Sequence, residues 1–196
     1  MKGCRPLDEA EIIAVLAKFH GPVASRDRAL FLLGLRSGFR ISELLSLRLG
    51  DVFIGGQITD RVSVRRSAMK KHLEGRTVPL HNEAKEALRT WIMAYLGRLP
   101  GAMPGLPLFP RRPGGIKAIT RAGAWYQLKQ AFHRAGLFGP GLATHSMRKT
   151  FAARVYQRLG KDLIKTQQAM GHRSINSTAR YLSFADAEID KAILAA

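Results

Sequence analysis

The sequence predicts a mainly α fold of the α+β class, in which a helical domain carries a small three-stranded antiparallel sheet. Two observations support this prediction. Apolar residues recur at helical spacing through most of the chain, and only the segment 51–80 changes to short runs rich in Val, Ile and Thr. With 196 residues and 46% hydrophobic content, the chain is long enough for one well-buried domain, which we expect to span 1–196.

The first part of the chain is expected to be helical. The segment 7–19 places acidic residues in its first turn and apolar residues on one face, which predicts an amphipathic helix. A strongly apolar helix over 26–37 is predicted to end at Gly38, because glycine commonly terminates helices. A third helix is expected over 41–49, so two core helices flank Arg40.

The spacing of apolar residues changes from helical to strand-like after these helices. Three short strands are predicted at 51–54, 57–66 and 75–80, with a glycine turn between the first two. The segment 98–115 is rich in Pro and Gly and is expected to be a surface loop. Further helices are predicted over 82–97, 120–135, 146–159, 161–170, 174–182 and 186–194.

The chain is strongly cationic. It has 32 Lys and Arg against 14 Asp and Glu, a net charge of +18 that indicates a polyanionic partner, with nucleic acid ahead of an anionic membrane. The longest apolar run, 29–35, is too short to span a bilayer, and the N-terminus lacks the apolar region of a secretion signal. The single Cys4 cannot form an intrachain disulfide, so we expect a reducing, cytosolic setting.

A series of arginine, lysine, histidine and tyrosine residues occurs in a fixed order along the chain. One arginine lies in G-F-R-I-S-E-L, a lysine pair precedes G-R-T-V-P-L, H-S-M-R supplies a histidine and an arginine, and a tyrosine follows the second histidine by nine residues. These candidate site residues are Arg40, Lys70, Lys71, His145, Arg148, His172 and Tyr181. Together they contain a nucleophile, cations for a phosphate and proton carriers.

These motifs resemble the tyrosine recombinase (phage integrase) family, and the resemblance covers nearly the whole chain. The family takes its two arginines from motifs like G-x-R-x-S-E-L and H-x-x-R, which match 38–44 and 145–148. The resemblance implies a tyrosine recombinase-like catalytic domain of integrase or invertase type. Such an enzyme would cleave and rejoin DNA strands through a 3′-phosphotyrosyl intermediate, with no cofactor and no metal.

The resemblance also implies a role for each residue. Tyr181 would attack phosphorus, and Arg40 with Arg148 would clamp the non-bridging oxygens, since a guanidinium stays charged and offers paired donors. Lys71 would protonate the leaving 5′ oxygen, with Lys70 as the alternative.

The histidines are assigned supporting roles. His145 and His172 would hydrogen-bond the phosphate or assist the tyrosine proton, which neutral imidazole can do near pH 7. Glu43 is interpreted as a structural partner beside Arg40. A metal site built on His133, His145 and His172 is disfavoured, because their spacings match no ligand signature and acidic or cysteine ligands are missing nearby. Lys149 departs from the family, where many relatives have histidine.

The implied partners are double-stranded DNA, a homo-oligomer that is a tetramer on paired sites, and accessory DNA-bending proteins, with no membrane. The setting would be the bacterial cytoplasm at the nucleoid. Relatives carry an N-terminal DNA-binding domain of about a hundred residues, which we do not expect in this chain, so it is either a minimal recombinase or a fragment. Two alternatives remain open: a type IB topoisomerase-like nicking and closing enzyme, and a catalytically silent DNA-binding regulator.

Overall fold

The computed structural model describes residues 4–64, 75–99, 101, 103–182 and 194, except the side chains of Arg180 and Tyr181. The chain divides into two compact units, Met1–Phe151 and Ala152–Ala196. The helices are α1 (Glu9–Leu16), α2 (Ala24–Ser37), α3 (Ile41–Ser46), α4 (Asn82–Leu96), α5 (Arg121–Arg134), α6 (Thr144–Arg158), α7 (Leu163–Met170) and α8 (Ile175–Leu182). The fold class expected from the sequence is confirmed. The last predicted helix, 186–194, lies outside the described residues except for position 194.

Side-chain caps explain where several helices begin. Asp8 accepts a hydrogen bond from the Glu11 backbone N–H at 2.8 Å, and the Glu11 carboxylate accepts one from the Asp8 N–H at 3.1 Å. This reciprocal capping box satisfies two donors that the first turn of α1 would otherwise leave exposed. Thr120 caps α5 in a similar way, accepting from the Gly123 N–H at 3.0 Å.

The strands differ in detail from the expected three-stranded sheet. They are β1 (Phe53–Ile54), β2 (Gln57–Ile58), β3 (Arg61–Val64) and β4 (Arg76–Pro79). Within the described residues they form two separate antiparallel pairs, β1 with β2 and β3 with β4. The expected strand over 57–66 is interrupted because Thr59 donates its N–H to Val52 and its hydroxyl to Arg61, which turns the chain between the two pairs.

The core of the first unit lies between α2 and α4 and the segments that cover them. Leu30, Leu33, Leu88 and Trp91 are fully buried there. Trp91 stacks on Tyr95 with ring centroids 5.2 Å apart and an interplanar angle of 10°. Burying this many large apolar side chains in one cluster is the main favourable contribution to folding of this unit.

The Pro- and Gly-rich segment is not simply a surface loop, as the sequence had suggested. Leu108 and Phe109 are buried, and the Trp91 indole donates to the Leu108 carbonyl at 2.8 Å. The Leu108 N–H donates to the Leu47 carbonyl at 2.9 Å. This hydrogen bond holds Leu47 in an extended conformation, so α3 ends at Ser46 instead of continuing to 49. Composition indicated the irregular backbone but not its burial.

Across the described part of the chain, none of the helices has both the length and the apolar character needed to span a bilayer.

Candidate active site

Arg40 is presented by a tight reversal between α2 and α3. Gly38 ends α2 in the left-handed conformation, with φ 63°, and donates its N–H to the Gly34 carbonyl at 3.2 Å. A Cβ atom at Gly38 would overlap the ring of Phe151, so glycine suits this position for both its backbone and its lack of a side chain. Arg40 then adopts an extended conformation as the residue that precedes α3.

Glu43 holds Arg40 in place. Its carboxylate accepts a hydrogen bond from the Arg40 guanidinium at 2.6 Å and another from the Arg40 backbone N–H at 2.7 Å. The Glu43 side chain is 2% exposed, whereas that of Arg40 is 28% exposed. The guanidinium is therefore anchored on its protein side and open to solvent on the other, as a group that receives an external anion requires.

Arg148 lies against the same reversal. It is on α6, is 1% exposed, and donates from Nη1 to the Gly38 carbonyl. The first unit thus brings together the two arginines that the sequence proposed from segments more than a hundred residues apart. The planar guanidinium presents its donors in a fixed fork, and one of these donors binds the Gly38 carbonyl.

A third arginine, Arg76 at the start of β4, was missed by the sequence reasoning. Its Nη2 donates to the Ser37 carbonyl at 2.9 Å, and its guanidinium lies 5.2 Å from the Phe39 ring centroid and 5.9 Å from that of Phe151. One signal could have revealed it. Alternation along β4 places Arg76 on the same face as buried Val78, so its side chain points inward.

The neighbouring arginines act on the titration of Arg76. Burial, together with the positive charges of Arg148 and Arg40, lowers the pKa of Arg76 to about 10, and Glu43 acts in the opposite direction. A pKa of about 10 still leaves Arg76 protonated at neutral pH. Among the described residues, Arg40, Arg76 and Arg148 bring three positive charges to this region and Glu43 brings one negative charge, an arrangement that attracts an anion such as a phosphodiester.

His145 belongs to this environment. It lies in the first turn of α6, where its side chain reaches solvent. Its pKa is lowered from 6.5 by partial burial and by the positive charges of Arg148 and Arg40, followed by Arg121 and Lys149. The imidazole is therefore neutral near pH 7 and can accept or donate a hydrogen bond.

The remaining described candidates belong to the second unit. His172 follows α7 and is 8% exposed, and its Nδ1 lies 2.9 Å from the Thr178 hydroxyl. Thr178 is on α8, three residues before Tyr181, and is fully buried. The contact thus ties the histidine to the helix that carries the tyrosine.

Two parts of the sequence-based site cannot be placed. Lys70 and Lys71 lie outside the described residues, as does the side chain of Tyr181. Among the described residues, no group of three or more His, Cys, Asp and Glu side chains is arranged to hold a metal ion.

Comparison with known proteins gave a family match over most of the chain. The model of the phage integrase family matches residues 5–188. Among curated proteins, the tyrosine recombinase XerC of Herpetosiphon aurantiacus is 31% identical over 171 residues, which is 87% of this chain and 52% of that protein. The chain spans about half the length of the curated relatives it matches.

Solved structures show the same fold. A crystal structure of the XerH site-specific recombinase bound to palindromic difH substrate, a post-cleavage complex, superposes with a TM-score of 0.74 at 24% identity, over 96% of this chain and 51% of that one. The catalytic domain of bacteriophage HP1 integrase gives a TM-score of 0.60 at 23% identity, over 97% of this chain and 94% of that one.

Proposed function

Because the chain belongs to the phage integrase family, as its motifs had indicated, we propose that it acts as the catalytic domain of a site-specific DNA recombinase. It cleaves a DNA strand by attack of a tyrosine and rejoins that strand to another 5′-hydroxyl. The observation that carries this proposal is the arginine cluster of the first unit. Arg148 donates to the turn that presents Arg40, and Glu43 anchors Arg40 with one side open.

In the proposed cleavage step the Tyr181 oxygen attacks phosphorus and the bond from phosphorus to the 5′ oxygen breaks. The product is a 3′-phosphotyrosyl bond and a free 5′-hydroxyl, and the reverse reaction joins a different 5′-hydroxyl without an energy source. Arg40 and Arg148 stabilise the charge that accumulates on the non-bridging oxygens in the transition state. His145 and His172 hydrogen-bond the phosphate or receive the tyrosine proton.

The leaving 5′ oxygen needs a proton. Lys71, or alternatively Lys70, is proposed to supply it, because both stand a few residues before β4 in the sequence and Arg76 at the start of β4 lies beside the other arginines. No metal is needed in this scheme, since the guanidiniums provide the positive charge.

Double-stranded DNA is the proposed substrate, and a tetramer on paired sites the proposed assembly. The net charge of +18 supports the DNA assignment. The XerH structure, which is bound to a difH DNA substrate, supports it from a protein of the same fold. Accessory DNA-bending proteins and a location at the nucleoid belong to the same proposal.

The test is detection of a covalent protein–DNA adduct on a denaturing gel, with nicked duplexes taken from the DNA that flanks the gene. Wild type is expected to form the adduct and Tyr181→Phe to form none. Tyr126→Phe is the matched control, because Tyr126 is an exposed tyrosine on α5 far from the arginine cluster in sequence. Mapping the attached phosphate identifies the cleaved site.

The outcomes separate the competing functions. An adduct whose religation yields strand exchange between two sites supports the recombinase, whereas relaxation of supercoils without exchange favours the nicking and closing enzyme. Tight binding with no adduct favours the silent regulator. An adduct that persists in Tyr181→Phe would overturn the choice of nucleophile.

A further inference from the structure

We propose that Arg76 is a positioning residue that holds the Arg40-bearing turn in the geometry needed for phosphate binding. Here "the Arg40 turn" denotes residues 37–40. The inference rests on the proposed function, because it assigns a role within the phosphate-binding cluster. It goes beyond the site residues that the sequence indicated.

The Arg40 turn is held by hydrogen bonds from two arginines. Its successive carbonyls are each engaged by a different arginine: Arg76 donates to the Ser37 oxygen at 2.9 Å, and Arg148 donates to the Gly38 oxygen. Both carbonyls lie at the C-terminal end of α2, where backbone oxygens lack partners within the helix. The two guanidiniums therefore determine together where the chain leaves α2.

Arg76 also packs against two aromatic rings. Its guanidinium lies over the ring of Phe39, within the Arg40 turn, and near the ring of Phe151 on α6. Phe39 is 1% exposed, so the stacked pair is shielded from water. Cation–π attraction is stronger in such a shielded environment than at an exposed site. Arg76 thus contacts both the turn that carries Arg40 and the helix that carries Arg148.

Arg76 and Arg40 differ in their exposure to solvent. The Nη1 atom of Arg76 is buried from solvent, while Arg40 keeps 28% of its side chain exposed. A buried guanidinium held by a carbonyl and two aromatic rings is suited to fixing its neighbours, and Arg40 is suited to meeting the phosphate. The burial that lowers the pKa of Arg76 to about 10 is consistent with this division of roles.

Arg76 is also near the proposed general acid in the sequence. It begins β4, paired in register with Val64 at the end of β3, and the lysine pair lies between these two strands in sequence. The residue that fixes the Arg40 turn therefore lies five positions after Lys71 in the sequence. A displacement of about 1 Å among catalytic groups can reduce a rate about a hundredfold.

The experiment compares Arg76→Gln, Arg76→Lys and the control Arg61→Gln in the full chain. Arg61 is an exposed arginine on the adjacent strand. The readout is the single-turnover rate of adduct formation on a nicked duplex with either an ordinary phosphate or a neutral methylphosphonate at the cleaved position. A methylphosphonate lacks the negative charge that the arginine clamp recognises.

We expect Arg76→Gln to lower the rate on the phosphate about a hundredfold, with duplex affinity changed less than about threefold. The loss should shrink to less than about tenfold on the methylphosphonate, and Arg76→Lys should restore most of the rate. Equal losses on both substrates with no rescue by lysine would overturn the inference, since that pattern means general destabilisation. A rate like that of Arg61→Gln would overturn it as well.

A binding measurement without DNA distinguishes failure of the Arg76 inference from failure of the proposed function. Orthovanadate is a tetrahedral phosphate analogue that can become pentacoordinate in a binding site, and its binding is followed as the rise in melting temperature. If wild type forms no adduct, the proposed function fails, and this measurement alone decides the inference. Affinity about tenfold weaker in Arg76→Gln than in Arg61→Gln supports it, and equal affinity, or no orthovanadate binding by wild type, overturns it.

Discussion

Arg148 donates a hydrogen bond to the main-chain oxygen of Gly38, which joins the buried arginine of α6 to the turn that presents Arg40. The contact bridges two segments separated by 110 positions in the chain. Because Gly38 must be left-handed to place this carbonyl, the geometry of the arginine pair depends on one glycine and on the helix it terminates.

Gly38→Ala should therefore be strongly destabilising. The alanine would take an unfavourable backbone conformation and its methyl group would overlap the Phe151 ring. Gly55→Ala is the matched control, since Gly55 has φ 59° with open space around it. In urea unfolding we expect a loss of about 1 kcal/mol for Gly55→Ala and about 3 kcal/mol or more for Gly38→Ala. Equal losses would contradict the proposed overlap.

Glu43→Gln tests the anchor of Arg40. It removes the charge from a carboxylate that is buried and accepts two hydrogen bonds, so we expect a loss of about 1–3 kcal/mol in unfolding free energy. Glu86→Gln is the control, because Glu86 and Arg89 have the same i,i+3 spacing but both side chains are exposed. Their nearest nitrogen and oxygen atoms are 3.7 Å apart. This control should change stability by less than about 0.5 kcal/mol. Similar losses in both variants would argue against a buried anchor.

The titration of His145 should report the arginine cluster. Its pKa lies below 6.5 because of partial burial and the positive charges of Arg148 and Arg40. Replacing Arg40 with Gln should raise this pKa, while Arg61→Gln should not, as followed by the imidazole proton signals in NMR. An unchanged value in Arg40→Gln would mean that the two side chains do not interact.

The same shift predicts how stability depends on pH. The folded state binds the His145 proton less readily than the unfolded state does. Neutral His145 therefore contributes to the free energy of unfolding, and this contribution is fully present above pH 6.5. It is lost as pH falls through the lowered pKa of the folded protein. His145→Gln should remove that part of the dependence in unfolding measured from pH 7 to 5, and an identical profile would contradict the assignment.

Thr178→Val tests the contact between His172 and α8. The substitution keeps the shape but removes the hydroxyl 2.9 Å from His172 Nδ1, so the buried ring loses a partner. We expect amide exchange in α8 to accelerate by about fivefold to tenfold, equivalent to about 1 kcal/mol. Ser177→Ala, at the exposed neighbouring position, should leave exchange within about twofold. If both variants exchange at the wild-type rate, the contact does not stabilise α8.

Binding to duplex DNA should depend steeply on salt. With the cations distributed along a folded chain of net charge +18, about six phosphate contacts would lower affinity about a thousandfold between 50 and 200 mM salt. Fluorescence anisotropy with a labelled duplex measures this slope. A slope near zero would contradict binding through the phosphate backbone.

Much of this protein was predictable from local sequence. The amphipathic period of α1, the glycine after α2 and the threonine before α5 carry their structural meaning in a few adjacent residues, because helix periodicity and capping are local effects. The motifs around Arg40 and Arg148 indicated the family for the same reason, since each is contained in seven residues or fewer. The lysine and tyrosine assignments stay predictions.

Tertiary structure decided the rest. The burial of Leu108 and Phe109 depends on Trp91 and Leu47, which lie far away in sequence, so composition alone suggested an exposed loop. Arg76 looks like an ordinary strand residue until Ser37, Phe39 and Phe151 surround it. Local propensity determines which segments are helical and which residue types are available. The environment of a charge is set by residues brought together from distant parts of the chain, and that environment decides which arginine meets solvent and which one holds the others in place.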